Sequence, residues 1–233
     1  MPFVRDNKQY MLVKGFSSNY QPLLNTSTAG SYDIIIPENC ITKITIVGGG
    51  GAAAMRGQYD DRGYGWTGGS GGAFQGLFDL EAGTYNVTIG SANNNNKAQG
   101  GNTNTMNPDD TSTHDSYITG VIRVGGGGAG TTSGVGAAGK AATFEVEPLE
   151  IIKNLSGNAG AYGSGGKGSG ANWTHNGADS VWEGHGKGQG CSTSEYAARR
   201  YWIAGTNGYA KIEVISKDKY NNPIKFYEAI KIK

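Results

Sequence analysis

Residues 41–57, ITKITIVGGGGAAAMRG, decide how the rest of the chain is read. The stretch opens as a strand, with Ile41, Lys43 and Thr45 alternating against Thr42, Ile44 and Ile46. It then runs into a glycine tract in which Gly48, Gly50 and Ala53 satisfy the G-x-G-x-x-G/A spacing of a dinucleotide-binding turn. Such a turn needs a helix directly after the glycines, because the helix N-terminus holds the pyrophosphate. Here Gly57, Gly63 and Gly65 follow, each costing about 1 kcal/mol relative to alanine inside a helix. The acidic residue that would hold the ribose is also missing from GYGWTGGSGGAFQG. A second spacing, Gly134, Gly139 and Lys140, suggests a phosphate loop, but Ala141 stands where Ser or Thr should hold the metal. No nucleotide, and no other cofactor, is expected at either site, so the glycine serves another purpose.

Glycine is the outlier of the composition, 41 of 233 residues against a usual level of about 7%. Only 6 prolines are present, which excludes collagen, and an aromatic content of 10% is too high for a flexible Gly/Ser linker. The glycine is therefore expected to be ordered. A net charge of +1 gives no basis for nucleic-acid binding by counterion release. No apolar run approaches the roughly 18 residues of a membrane span. The first residues, MPFVRDNKQYMLVKGF, lack the apolar region of a signal peptide, so synthesis in the cytoplasm is expected. Cys40 and Cys191 are too few and too far apart for a disulfide framework.

Residues 1–30 read as an N-terminal arm or attachment segment ending in a Ser/Thr/Asn loop, LLNTSTAGS. Strand patterns follow in SYDIIIP, ITKITIVG, GAFQGLFDL, TYNVTIG, YITGVIRVG, AATFEVE and GYAKIEVIS. EAG, between Leu80 and Thr84, reads as a hairpin turn. STSEYAARRYWIA is the best short helix candidate, and YEAIKIK an eighth strand or part of a C-terminal tail, 217–233. Glycine tracts separate the strands, and KITIVGGGGAAA and VIRVGGGGAG are the clearest copies of a loose repeat. Gly157, Gly160, Gly163 and Gly166 recur every third residue. That is the period of the extended left-handed helix with three residues per turn. Such helices bundle when glycine faces each neighbour, because backbone N–H groups then reach carbonyls on adjacent chains. The chain is thus expected to be mainly β, with polyglycine II helices bundled between the strands.

These residues resemble a known family. KITIVGGGGAAA, GGSGGAFQGLFDLEAGTYNVTIG and GVIRVGGGGAG look like the glycine-rich domain of phage tail-fibre and tail-tip proteins. The likeness covers residues 31–153, and the glycine tracts with a closing strand extend it to about 216. The tip adhesins of T-even-type phages have a similar polyglycine II sandwich with receptor contacts on distal loops. The glycine-rich extracellular domain of anaplastic lymphoma kinase is similar too. The resemblance implies a jelly-roll-like β sandwich with an inserted polyglycine II bundle over 31–216. It also implies a virion protein that binds a host surface receptor, a glycan or a protein, without catalysis. A purely structural virion component, such as a head fibre, decoration or connector protein, is the alternative. An ice-binding glycine bundle is a third, disfavoured by the Trp and Tyr content. By analogy with fibre proteins a homotrimer is expected, with a monomeric tip as the alternative.

Residues 154–207 form a long insertion, far more than a strand connection needs. Function tends to sit on loops displayed by a rigid scaffold. The expected contact residues there are Trp173, His175, Trp182, His185, Tyr196, Arg199 and Arg200, with Tyr59, Tyr64 and Trp66 of the first glycine tract as a secondary set. Aromatic faces beside Arg and Asn suit glycans or protein loops. The competing expectation is that Trp173 and Trp182 cap the bundle as packing. The spacing of His114, His175 and His185 fits no metal motif, so no metal is expected. Asp60 with Asp61 and Asp109 with Asp110 read as solvated turns, and Ser192 and Ser194 beside Cys191 make no nucleophile elbow, so no enzyme activity is expected.

Overall fold

The computed structural model describes residues 2–5, 8–11, 22–36, 38–56, 64–92, 105–106, 114–131, 133–164, 173–194 and 199–215. Strands make up 49% of the described residues and no helix occurs among them, so the chain is mainly β. Two five-stranded antiparallel sheets form its larger part. The first has the order β14 (Glu150–Leu155), β8 (Ala73–Leu80), β5 (Cys40–Val47), β19 (Tyr209–Ile215) and β3 (Leu24–Thr26). The second has the order β13 (Thr143–Phe144), β12 (Ile122–Val124), β11 (Ser116–Ile118), β9 (Gly83–Ile89) and β4 (Gly30–Ile36).

Alternation decides which side chains fill the space between the two sheets. Ile44 and Ile46 of β5, Phe74 and Phe78 of β8, Ile34 and Ile36 of β4, Val87 and Ile89 of β9, and Ile122 and Val124 of β12 join one buried cluster. Residues two apart on a strand share a face, so each of these pairs points the same way. Phe144 of the second sheet closes an aromatic trio with Phe74 at 5.2 Å and Phe78 at 6.3 Å. Full burial of each such side chain contributes about 1.5–3 kcal/mol. The opposite face of β5 is covered as well: Ile41, Thr45 and Val47 are buried.

Several sequence expectations are corrected. EAG does not close a hairpin, because β8 pairs with β5 and β14 whereas β9 pairs with β4 and β11. Both strands must turn apolar residues toward the same core from opposite sides, so this connection passes from one sheet to the other. YITGVIRVG is not one strand but the hairpin β11–β12, turned at Gly120 (φ 74°), a conformation that costs glycine little. The helix candidate STSEYAARRYWIA contributes instead to two paired strands, β17 (Gly190–Ser194) and β18 (Arg199–Ile203). Its Thr, Tyr, Trp and Ile content fits a pleated surface better than a helix. Residues 1–30 are not wholly peripheral. Leu24 of β3 packs on the core cluster and β3 pairs with β19, while β1 (Pro2–Arg5) and β2 (Lys8–Met11) pair with each other. The C-terminal tail and its YEAIKIK lie outside the described residues.

Four of the glycine-region segments join the first sheet at a single cross-strand row, Leu155–Ala73–Val47–Tyr209, whereas the tract that begins at Gly125 follows β12 of the second sheet. Their backbone amides bond to different neighbours in turn. In residues 67–72, Thr67 and Ser70 donate to Ala161 and Asn158, Gly68 and Gly71 to Gln189 and Gly186, and Gly69 and Gly72 to Gly128 and Gly125. Every third N–H therefore returns to the same neighbouring segment. The segments approach closely: a Cβ on Gly68 would lie 1.9 Å from the Gly51 carbonyl oxygen, and one on Gly160 2.0 Å from that of Thr67. Only glycine permits such contacts.

This pattern accounts for the glycines of the opening motif. Gly48 N–H donates to Gly72 O at 3.0 Å and Gly50 N–H to Thr206 O at 3.1 Å, and the segment that follows is a strand, β6 (Ala54–Arg56), in place of a helix. In the second motif, Gly136 and Gly139 donate to Thr67 O and Ser70 O. These amides hold neighbouring chain, where a phosphate site would need them turned to a ligand. Beyond the glycine segments lie two small sheets. One has the order β10 (Thr105–Met106), β6, β7 (Tyr64–Trp66) and β15 (Tyr162–Ser164); the other has β16 (Trp173–His175), β17 and β18. Gly163, expected to face a neighbouring glycine helix, lies in β15 opposite Gly65.

Candidate binding surface

The two small sheets are tied to each other and to the glycine segments by buried contacts. Ala53, Met55 and Cys191 form a small apolar cluster with Trp202 packed against it. Gln189 is 1% exposed, and its Oε1 accepts the Ala53 N–H at 2.9 Å. Thr67 Oγ1 accepts the Ala161 N–H at 2.7 Å and Ser70 Oγ the Asn158 N–H at 2.8 Å. Side-chain oxygens thus supply acceptors beside the backbone ladder, so that the polar groups are satisfied despite burial.

The ten expected contact residues divide into three groups. Tyr64 and Trp66 lie on β7, Trp173 and His175 on β16, and Arg199 and Arg200 on β18, all in the two small sheets. Trp173, Thr193 and Arg200 form one cross-strand row, and His175, Cys191 and Trp202 form another two residues along. The fold brings these residues of the insertion together across more than twenty residues of sequence. Tyr59 and Tyr196 lie outside the described residues. Trp182 and His185 sit elsewhere, where the first sheet meets the glycine segments.

Trp182 follows the packing alternative. It is 8% exposed, packs with Val47 and Ala73, and has the Lys153 ammonium 4.8 Å from its ring centroid. Residues Trp182–His185 make a tight turn with Glu183 at φ 43° and Gly184 at φ 81°, closed by the His185 N–H donating to Trp182 O at 2.8 Å. Ser180 Oγ accepts the Trp182 N–H, and its single proton lies within reach of the carbonyls of both Trp182 and His185. The His185 ring stacks on Tyr209 at 4.4 Å and 9°. Partial burial lowers its pKa from the ordinary histidine value, and the nearby Glu183 carboxylate opposes that shift. The third histidine, His114, is buried; its Nδ1 lies 3.0 Å from Ser91 O, and its carbonyl accepts the Gly49 N–H.

An aromatic residue not chosen as a contact joins the small sheets. Tyr162 of β15 stands opposite Trp66 of β7, with ring centroids 5.4 Å apart and a 46° tilt, and is 52% exposed. Tyr162 was visible in the glycine tract NAGAYGSGG, but only the strand register reveals its partner. Both cysteines are free and buried, and burial pushes the Cys191 thiol up to about 12, leaving it protonated and a poor nucleophile at neutral pH. Among the described residues no group of three or more His, Cys, Asp or Glu could hold a metal ion. No family model matches the chain, and no curated protein matches it in sequence.

Proposed function

We propose that this chain is a non-enzymatic phage virion fibre or tail-tip protein that binds a host surface receptor, a glycan or an outer-membrane protein. In this reading the two large sheets are a jelly-roll-like sandwich, the glycine segments a polyglycine II bundle, and the two small sheets the receptor-contacting end. The observation that carries it is the backbone pattern of residues 67–72, where every third N–H returns to the same neighbour. A bundle built this way is a stiff spacer, and stiffness is what a scaffold for a contact surface requires. The surface itself draws on Trp66 with Tyr162, and on the rows holding Trp173, His175 and Arg200. Aromatic and arginine residues suit a sugar ring or a protein loop, and Tyr162 is exposed.

The test is competition. Purified protein should bind host cells or lipopolysaccharide and reduce phage adsorption in proportion to the amount bound. Trp66→Ala together with Tyr162→Ala should abolish binding at an unchanged melting temperature. Stable incorporation into particles with no cell binding would instead support the structural virion component, a reading favoured by the exposed isoleucines of β14.

A further inference from the structure

The four-stranded small sheet has one face turned inward. Met55 is 1% exposed and packs with Cys191 of the three-stranded sheet. The register carries that face across the strands in the row Met106–Met55–Gly65–Gly163. Successive residues of a strand belong to opposite faces, so the rows on either side of this one belong to the outer face. One of them sets Trp66 opposite Tyr162, with ring centroids 5.4 Å apart and Tyr162 half exposed. The other is Thr105–Arg56–Tyr64–Ser164.

The two outer rows differ in chemistry. The first joins two aromatic residues. Every residue of the second is of a hydrogen-bonding type: Thr105, Tyr64 and Ser164 are hydroxyl residues and Arg56 is a guanidinium donor. A saccharide unit is divided in the same way, with C–H groups on its ring faces and hydroxyls around its rim. Aromatic rings suit the first, hydroxyl and guanidinium groups the second. Size decides between a saccharide and a protein partner. Four strands and two rows span about 15 by 7 Å, or about 100 Å². A stable protein interface takes about 800 Å² from each partner. The face is too small for the second and ample for a short saccharide.

We propose that the outer face of this sheet is a saccharide-binding site, where a sugar ring lies on Tyr162 beside Trp66 and the row holding Arg56, Tyr64 and Ser164 takes its hydroxyls. This rests on the receptor-binding reading above and chooses the glycan over the outer-membrane protein. Isothermal titration of the full chain with polysaccharide released from the host surface by mild acid should show saturable binding. Tyr162→Ala should weaken that binding by about tenfold at an unchanged melting temperature, because Tyr162 is half exposed. Arg56→Gln should weaken it by a similar factor; if this variant fails to fold, Tyr162→Ala decides. Polysaccharide binding unchanged in either folded variant would overturn the assignment of this face. A chain that binds host cells but not the polysaccharide would overturn the saccharide and leave the receptor reading standing, with a protein as the receptor. A chain that binds neither would remove both.

Discussion

The two large sheets and the glycine segments they feed are both densely packed, but by opposite means. Between the sheets, space is filled by side chains: Phe74, Phe78 and Phe144 meet ring to ring. In the glycine segments space is filled by the backbone itself, and the partners of Gly68 and Gly69 are carbonyls of other segments. The first kind of packing fails when side chains are removed, the second when they are added. Residues 48–53 and 67–72 of the glycine segments are as deeply buried as the core between the sheets, so burial does not separate the two kinds of packing and mutation does.

The largest effect should come from adding atoms to the glycine segments. Gly68→Val would press its side chain against the Gly51 carbonyl and part segments that share several hydrogen bonds. Its cost should exceed the about 1–3 kcal/mol of ordinary overpacking, up to loss of folded protein in urea titrations. Gly160→Val should behave likewise, and a melting temperature unchanged in both variants would make these segments loops. Phe78→Ala, the converse change between the sheets, should lose about 3–5 kcal/mol. Next comes Gln189→Ala, which leaves the Ala53 N–H without this acceptor in a dry place and should cost about 1–3 kcal/mol.

A smaller effect concerns pH at the junction of the two regions. The His185 pKa is lower in the folded chain than in the unfolded one, so the unfolded state binds more protons in the range just below the ordinary histidine value. The stability due to neutral His185 is therefore full above about pH 6.5 and declines as pH falls through the folded pKa. Melting curves of His185→Gln should show a shallower loss on acidification than the parent chain; equal slopes would remove His185 from the account. The smallest effect is a contrast within glycine itself. A Cβ on Gly134 meets nothing within 4 Å, so Gly134→Ala should stay within about 0.5 kcal/mol of the parent in the same urea titrations.

The strands between which side chains pack were legible because alternation is a local signal. SYDIIIP, ITKITIVG, GAFQGLFDL and TYNVTIG correspond to β4, β5, β8 and β9. What was not legible was pairing. LEAGTY looks like a hairpin until the strands on either side are seen to choose different sheets. β14 escaped notice because LEIIKNL lacks alternation, as suits a strand exposed along nearly its whole length. In the glycine segments a three-residue recurrence was visible at Gly157 and Gly160, but the neighbour of each amide is set by the fold: it lies 18 positions away for Gly157 and Gly139, and over a hundred for Gly68 and Gln189. The candidate surface was half legible for the same reason. Trp66 could be named from its tract, whereas its contact with Tyr162, and the burial of Trp182 against Val47, follow only from the fold.

The central claim is that the glycine segments are held as firmly as the strands, through their backbone. Site-resolved amide hydrogen exchange tests this most directly. The N–H groups of Gly48, Gly49, Gly51 and Gly69 should exchange only when the whole chain unfolds, as slowly as those of Ile44 and Ile46 in β5. Rapid exchange at these glycines while β5 stays protected would contradict it.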